Sequence, residues 1–288
     1  EADTIFSESN PASRTQAPGG VALNVARTLA ALGNTVGLSS RVGADREGVE
    51  LLDYVTRLDI TAVSIQTDNT RPTACYTAVL DHTGNLILGL ADMAIYDDFK
   101  PAHWQHGKQE IQHWNHWCVD TNLPADTLHY LASEKADRLL FAVVTSPAKA
   151  HRLRQVLPTL DAVFANNAEA DTLVNSNTGT LQTIEEQARA LCDLGALRAI
   201  VTAGVNGAAW ADPDRSGHIA SPSISPQSVS GAGDVLAGTT IAALLSGETL
   251  EQALTYGTCA ATLSTLSDMN DPHLSWPMIK EKLAHNDA

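Results

Sequence analysis

Basic residues are scarce in this chain: 18 Lys and Arg stand against 33 Asp and Glu, for a formal net charge of −15. That balance opposes electrostatic binding to nucleic acid or to an anionic membrane surface, and it suits a protein with small ligands. Cysteine is rare too. Cys75, Cys118, Cys192 and Cys259 are far apart and form no CxxC pair, which argues against a disulfide framework or a cysteine zinc site and points to a reducing, cytoplasmic home. No apolar run reaches the roughly 18 residues that span a bilayer, and no signal-peptide pattern is read. Internal repeats and low-complexity linkers are missing. So are the Walker A loop and the GxGxxG turn, the two usual signs of a mononucleotide fold. Any nucleotide must be held by another device.

What is present suits an α/β protein. The 288 residues, 44% of them apolar, are enough for one large domain or two modest ones. Pro18-Gly19-Gly20 opens a helix to Leu32, which Gly33-Asn34 ends. Strands are expected over Thr35–Val42 and Ile60–Gln66, with a helix over Glu47–Leu58 between them. Thr73–Leu80 and Leu86–Leu90 read as a hairpin joined by Asp81–Asn85. From about Trp114 strands alternate with helices: strands at Trp117–Asp120, Leu139–Val144, Ala162–Ala165 and Ala199–Thr202, helices at Pro124–Lys135, Pro147–Leu157, Ala168–Val174 and Thr183–Leu194. That rhythm implies a mostly parallel sheet covered on both faces. The hairpin breaks it, and reads as a small β appendage able to cover a site.

Ser230-Gly231-Ala232-Gly233-Asp234, followed by the apolar run Val235–Leu245, carries the most chemistry. Amides at the start of a helix have no partners within it, and with the helix dipole they form a site for phosphate oxygens. An aspartate held there can take a proton from an alcohol while the amides hold the phosphoryl group it attacks. A Gly-rich turn before a helix is also common in ordinary α/β proteins. Other segments keep two readings. Gly19 and Gly20 let a ligand approach the backbone, and Asn24 either bonds a sugar hydroxyl or is a solvated Asn. Glu169, after Asn166-Asn167-Ala168, is either a helix-start carboxylate favoured by the dipole or, with Asn166, a holder of magnesium-bound waters. Thr202-Ala203-Gly204-Val205-Asn206-Gly207 is a plain turn or a nucleotide loop at a strand's carboxyl end. His113 and His116, at i, i+3 in a His- and Trp-rich stretch, are spaced to share a helix face and bind zinc, but a solvated face is the better reading.

In order along the chain stand Pro18-Gly19-Gly20 with Asn24, Val42-Gly43-Ala44-Asp45 with Gly48, Asn166–Glu169, Thr202-Ala203-Gly204 with Gly207, and Gly231-Ala232-Gly233-Asp234. This series resembles the PfkB, or ribokinase-like, carbohydrate kinases over roughly Thr15 to Leu274. Ala91-Asp92-Met93-Ala94-Ile95, Val119-Asp120-Thr121-Asn122-Leu123 and Asn270-Asp271-Pro272-His273-Leu274-Ser275 resemble segments of the pseudouridine kinases within that family.

The resemblance implies one ribokinase-like domain over 1–288: a three-layer α/β/α sandwich with a small β lid at 66–98, often dimeric through that lid. It implies ATP-dependent phosphorylation of a primary ribose hydroxyl, most of all the 5′-OH of pseudouridine. The alternatives are a kinase of another sugar or nucleoside, or a non-catalytic nucleoside-binding relative. Asp234 would be the general base, and Gly231, Ala232 and Gly233 the anion hole. Asn166 and Glu169 would organise Mg2+ through water. Asn166, Thr202, Gly204, Gly207 and Asn270 would line the ATP site, and Gly19, Gly20, Asn24, Asp92, Met93 and Asn122 the substrate site. Three departures accompany it. The family's first strand, with a sugar-binding Asp, is expected just ahead of Glu1, where the sequence starts, unless another segment fills its place. Ser228-Val229-Ser230 replaces an Asp-x-Thr pattern, which leaves a monovalent-cation loop open. Val143-Val144-Thr145-Ser146 lacks the Asp-Pro of pseudouridine kinases.

Overall fold

A computed structural model describes residues 8–82, 86–174, 183–222, 231–266 and 274–286. Asn270, Ser228–Ser230 and the centre of the hairpin turn fall outside the described residues.

The chain opens with α1 (Val21–Ala31), then β1 (Gly37–Leu38), β2 (Arg41–Gly43), α2 (Arg46–Arg57), β3 (Thr61–Ala62) and β4 (Gln66–Asp68). The hairpin β5 (Cys75–Leu80) and β6 (Leu86–Asp92) follows, with α3 (Ala94–Asp97), α4 (Pro101–His106) and α5 (Lys108–Gln112) after it. The regular half runs β7 (His116–Asp120), α6 (Ala125–Glu134), β8 (Leu139–Val143), α7 (Pro147–Ala150), β9 (Ala162–Asn166), α8 (Asn167–Val174), α9 (Ile184–Asp193) and β10 (Ala199–Thr202). It closes with β11 (Ala208–Ala211), β12 (Ser216–Ile219), α10 (Ala232–Leu245), α11 (Leu250–Thr265) and α12 (Trp276–Asn286).

Among the described residues six strands form the central sheet, in the order β12-β11-β10-β9-β8-β7. β7, β8, β9 and β10 pair in parallel, and β11 and β12 add antiparallel at the far edge. Side chains alternate along each strand, and this period of two divides the core into two layers. Leu140 and Ala142 face one apolar cluster, with Val163, Ala165, Val201 and Ala209. Phe141 and Val143 face the other, with Phe164, Ile200 and Trp210, against α1, α10 and α11. Strands this apolar on both faces need helices on both faces, so the architecture is the three-layer α/β/α sandwich.

α10 has apolar residues all round, as expected for a helix covered on every side. Small residues let its neighbours approach. A Cβ on Gly238 would lie 2.8 Å from the Thr28 Cβ on α1, and one on Gly257 of α11 would lie 2.9 Å from the Leu236 carbonyl. The helix carrying Asp234 is therefore wedged between α1 and α11.

Three expected elements change. Thr35–Val42 and Ile60–Gln66 each split into two short strands, because their leading parts pair as β1 with β3 and their trailing parts as β2 with β4. Pro147–Leu157 is not one helix. α7 ends at Ala150 and two 3-10 turns follow, His151–Leu153 and Leu157–Thr159. Pro158 has no amide to donate, and the tighter path buries Leu153, Val156, Leu157 and Leu160 together. The shared histidine face is not formed either. His113 caps α5 and His116 begins β7, and among the described residues no His, Cys, Asp and Glu gather into a metal-binding group.

The β5–β6 ribbon stands apart as a two-stranded antiparallel sheet. Every residue of β5 is exposed. Val79, Leu88 and Leu90 share one face, on the pairs Val79↔Leu88 and Thr77↔Leu90, while Tyr76 and Leu80 lie on the other. α1 packs against both β1 and β7. Among the described residues no strand pairs with the outer edge of β7. No described helix is long and apolar enough to cross a membrane.

Candidate active site

The carboxyl ends of the parallel strands and the starts of α1 and α10 converge on Asp234. Gly231 precedes α10 in the left-handed region, at φ 77°, a conformation that glycine adopts without steric cost. It accepts the first helical bond, from the Val235 amide at 3.0 Å, so the amides of Ala232 and Gly233 lie ahead of the helical ladder. Nothing lies within 4 Å of where a Gly233 Cβ would sit. This is an open, amide-lined turn with a carboxylate one residue on.

Asn24, buried on α1, donates from Nδ2 to Asp234 Oδ2 at 2.7 Å. Its own Oδ1 accepts from Arg27 at 3.3 Å, which fixes the direction of the amide. The Asp234 carboxyl is pushed up to about 7. Desolvation is the main cause, the Asn24 bond opposes it, and the charges of Asp120 and Glu169 add to it. Arg27 acts the other way, more weakly. A carboxylate so tuned is a proton acceptor close to neutral pH.

Gly19 and Gly20 sit just ahead of α1, exposed, with open space where side chains would be, and Gly20 has φ 112°. Asn166 ends β9 in register with Thr202 of β10. Asn166 and Glu169 form a reciprocal cap on α8: the Asn166 amide donates to Glu169 Oε2 at 2.8 Å, and the Glu169 amide to Asn166 Oδ1 at 3.0 Å. The capping reading is therefore met, and it does not consume the whole carboxylate. Glu169 is 5% exposed, and burial raises its carboxyl above the usual range. A buried carboxylate with an oxygen to spare, and no ligand cluster beside it among the described residues, fits a hydrated Mg2+ reached through water rather than an all-protein cage.

Thr202 leads into the turn Gly204–Asn206, closed by Ala203 N to Gly207 O at 2.8 Å. Gly207, at φ 84°, passes so near the Ile219 carbonyl that a Cβ would collide with it. Asp92 ends the ribbon, exposed, and Met93 precedes α3. Neither bonds to the Asp234 cluster. Asn122 is brought close to it: its amide N–H donates to Asp120 Oδ1 at 2.8 Å, and Lys149 Nζ donates to its Oδ1 at 2.6 Å.

The sequence reading gives two residues of this cluster no site role. Asp120, 9% exposed at the end of β7, accepts from the Ala22 amide at 3.3 Å, joining β7 to the turn of α1 that holds Asn24. Its signal was available: a carboxylate at the carboxyl end of an expected strand, where open α/β sheets bind ligands. Lys149 had no such signal, because it reaches Asn122 only through the fold.

The pfkB family carbohydrate kinase model matches residues 5–270. The pseudouridine kinase of Escherichia coli is 26% identical over 273 residues, which cover 94% of this chain and 87% of that protein. The guanosine-inosine kinase of Exiguobacterium acetylicum is 25% identical, with 83% and 80% covered. A carbohydrate kinase from Agrobacterium tumefaciens has a structure similar at TM-score 0.84 and 30% identity, over 99% of this chain and 92% of that one.

Proposed function

This chain belongs to the pfkB family of carbohydrate kinases, ATP-dependent phosphotransferases, and from that premise we propose that it phosphorylates the 5′-OH of pseudouridine. The carrying observation is Asp234: a partly buried carboxylate, oriented by Asn24, one residue past the amides of the Gly231 turn. In this reading Asp234 takes the proton of the attacking hydroxyl as its oxygen forms a bond to the γ-phosphorus and the bond to ADP breaks. The amides of Gly231, Ala232 and Gly233 hold the phosphoryl oxygens where charge develops. Mg2+, held through water by Asn166 and Glu169, would offset the charge of the ATP phosphates. Thr202, Gly204 and Gly207 border the nucleotide, with Asn270. Gly19, Gly20 and Asn24 receive the ribose, and Asp92, Met93 and Asn122 the far end of the substrate.

The 5′-OH of pseudouridine is favoured by the Asp92-Met93 and Asp120-Thr121-Asn122 segments and by the similarity to pseudouridine kinase across 94% of the chain. We read the chain as one kinase domain with its lid at 66–98, and the outer edge of β7, with which no described strand pairs, as the place for a further central strand. A ribbon apolar on both faces supports a lid that covers the sugar with one face and pairs with a second copy through the other. Four free cysteines suit a reducing compartment, the cytoplasm.

The test is ADP release with ATP and a panel of pseudouridine, uridine, guanosine, inosine, ribose and fructose. Pseudouridine should give the highest kcat/KM. A clear preference for guanosine, inosine or ribose would overturn the substrate and leave the kinase reading intact.

A further inference from the structure

Asp120 is buried, yet among the described residues no Lys or Arg comes within ion-pair distance of it. Its fixed partners are two backbone amides, Ala22 on Oδ2 and Asn122 on Oδ1, together with the Asn122 side chain. Tying β7 to α1 needs only a neutral acceptor, and an Asn oxygen would serve without the cost of burying a charge. An ionised carboxylate has about four lone-pair sites, more than those bonds fill. The spare capacity lies beside the turn of α1 that carries Asn24, and the Asp120 charge is felt at Asp234.

The nearest compensation is indirect. Lys149 donates to the Asn122 oxygen, so the amide nitrogen is the end left for Asp120. Arg152 donates from Nη1 to the carbonyls of Thr121, Asn122 and Leu123, at 3.1, 3.0 and 3.3 Å, and holds the loop that carries the amide. Burial raises the Asp120 carboxyl, while its hydrogen bonds and the Lys149 charge oppose that rise.

We propose that Asp120 is a second substrate-contacting carboxylate, which accepts hydrogen bonds from ring hydroxyls of the polyol whose primary hydroxyl reaches Asp234, and that Lys149 is a positioning residue acting through Asn122. The proposal rests on the kinase reading of the Asp234 site.

The experiment compares steady-state kinetics of the full chain and its Asp120→Asn and Lys149→Met variants on pseudouridine, 2′-deoxypseudouridine and 3′-deoxypseudouridine. A hydrogen bond to a charged acceptor predicts that Asp120→Asn raises the KM for pseudouridine about 10- to 100-fold, with the KM for ATP unchanged. With the deoxy analogue that lacks the contacted hydroxyl, the same variant should cost less than about threefold. Lys149→Met should raise the same KM by a smaller factor, and Lys149→Arg should restore most of it. An equal penalty on all three substrates, or parallel losses in both KM values, would show a purely structural Asp120 and overturn the proposal. Should Asp120→Asn fail to fold, Lys149→Met against the deoxy pair gives the same readout. No turnover of pseudouridine by the unmodified protein overturns the substrate reading alone; the comparison then runs on the preferred compound of the panel and its deoxy forms.

Discussion

In the reading we propose, the phosphate end of the site and its sugar end are built differently. At the phosphate end, backbone does most of the work: the Gly231 turn, the cap of Asn166 and Glu169, and the Gly204–Gly207 turn all sit where apolar strands meet buried helices. At the sugar end, side chains scattered over the chain meet an exposed ribbon. A phosphoryl group is the same in every turnover, so fixed amides suffice for it. A sugar or base must be told from its rivals, and that takes side chains placed by the fold.

The sharpest way to break this comparison is to remove Asp234, which in this reading serves both ends. Asp234→Asn should lower kcat by about 10²–10⁴-fold with the fold intact, as read by ADP release and circular dichroism. Near-normal turnover would take Asp234 out of the mechanism. The same variant should also raise Tm. The folded protein binds the Asp234 proton more tightly than the unfolded chain does, so this group's contribution to stability declines as pH rises from the ordinary carboxylate range through about 7. The gain on substitution should appear at pH 8 and vanish near pH 4.

A second change strikes only the rigid half. Gly238→Val drives a side chain into Thr28 and pushes α10 from α1. It should cost about 1–3 kcal/mol in denaturant unfolding and lower kcat as the Asn24–Asp234 bond is disturbed. A variant as stable and active as the parent would show that the close helix packing is not what aligns the two residues.

The pH profile comes next in size. With the Asp234 carboxyl near 7 in the free protein, kcat/KM should fall about tenfold per pH unit below that point. A profile flat down to pH 5 would mean that the carboxyl is not raised, or is not the base.

The smallest effect is expected at the ribbon. Leu88→Asp with Leu90→Asp should turn a dimer into a monomer by light scattering and raise the sugar KM only a few-fold, leaving the ATP KM alone. A protein that is monomeric before substitution removes the pairing role of the lid.

Legibility in the sequence follows the same division. Gly231-Ala232-Gly233-Asp234 is readable because four consecutive residues carry the whole turn. The alternation that sends Leu140 and Phe141 to opposite layers is readable because strand geometry has a period of two. Asp120 and Lys149 were not chosen as site residues. Asp120 stood at the carboxyl end of an expected strand, but its link to Ala22, 98 positions away, shows only in the fold, as does that of Lys149 to Asn122, 27 positions away. The break in Pro147–Leu157 was hidden for a related reason: its residues favour helix locally, and only the common burial of Leu153, Val156 and Leu157 bends the path.

The bond from Asn24 to Asp234 joins residues 210 positions apart. During synthesis at about 5–20 residues per second, roughly 10–40 s separate their appearance from the ribosome. A nascent chain can pack α1 against β1 and β7 long before α10 exists, but Asp234 meets its partner only after the 210 positions between them have been made. Products that stop short of α10 therefore lack the oriented carboxylate that we propose as the base.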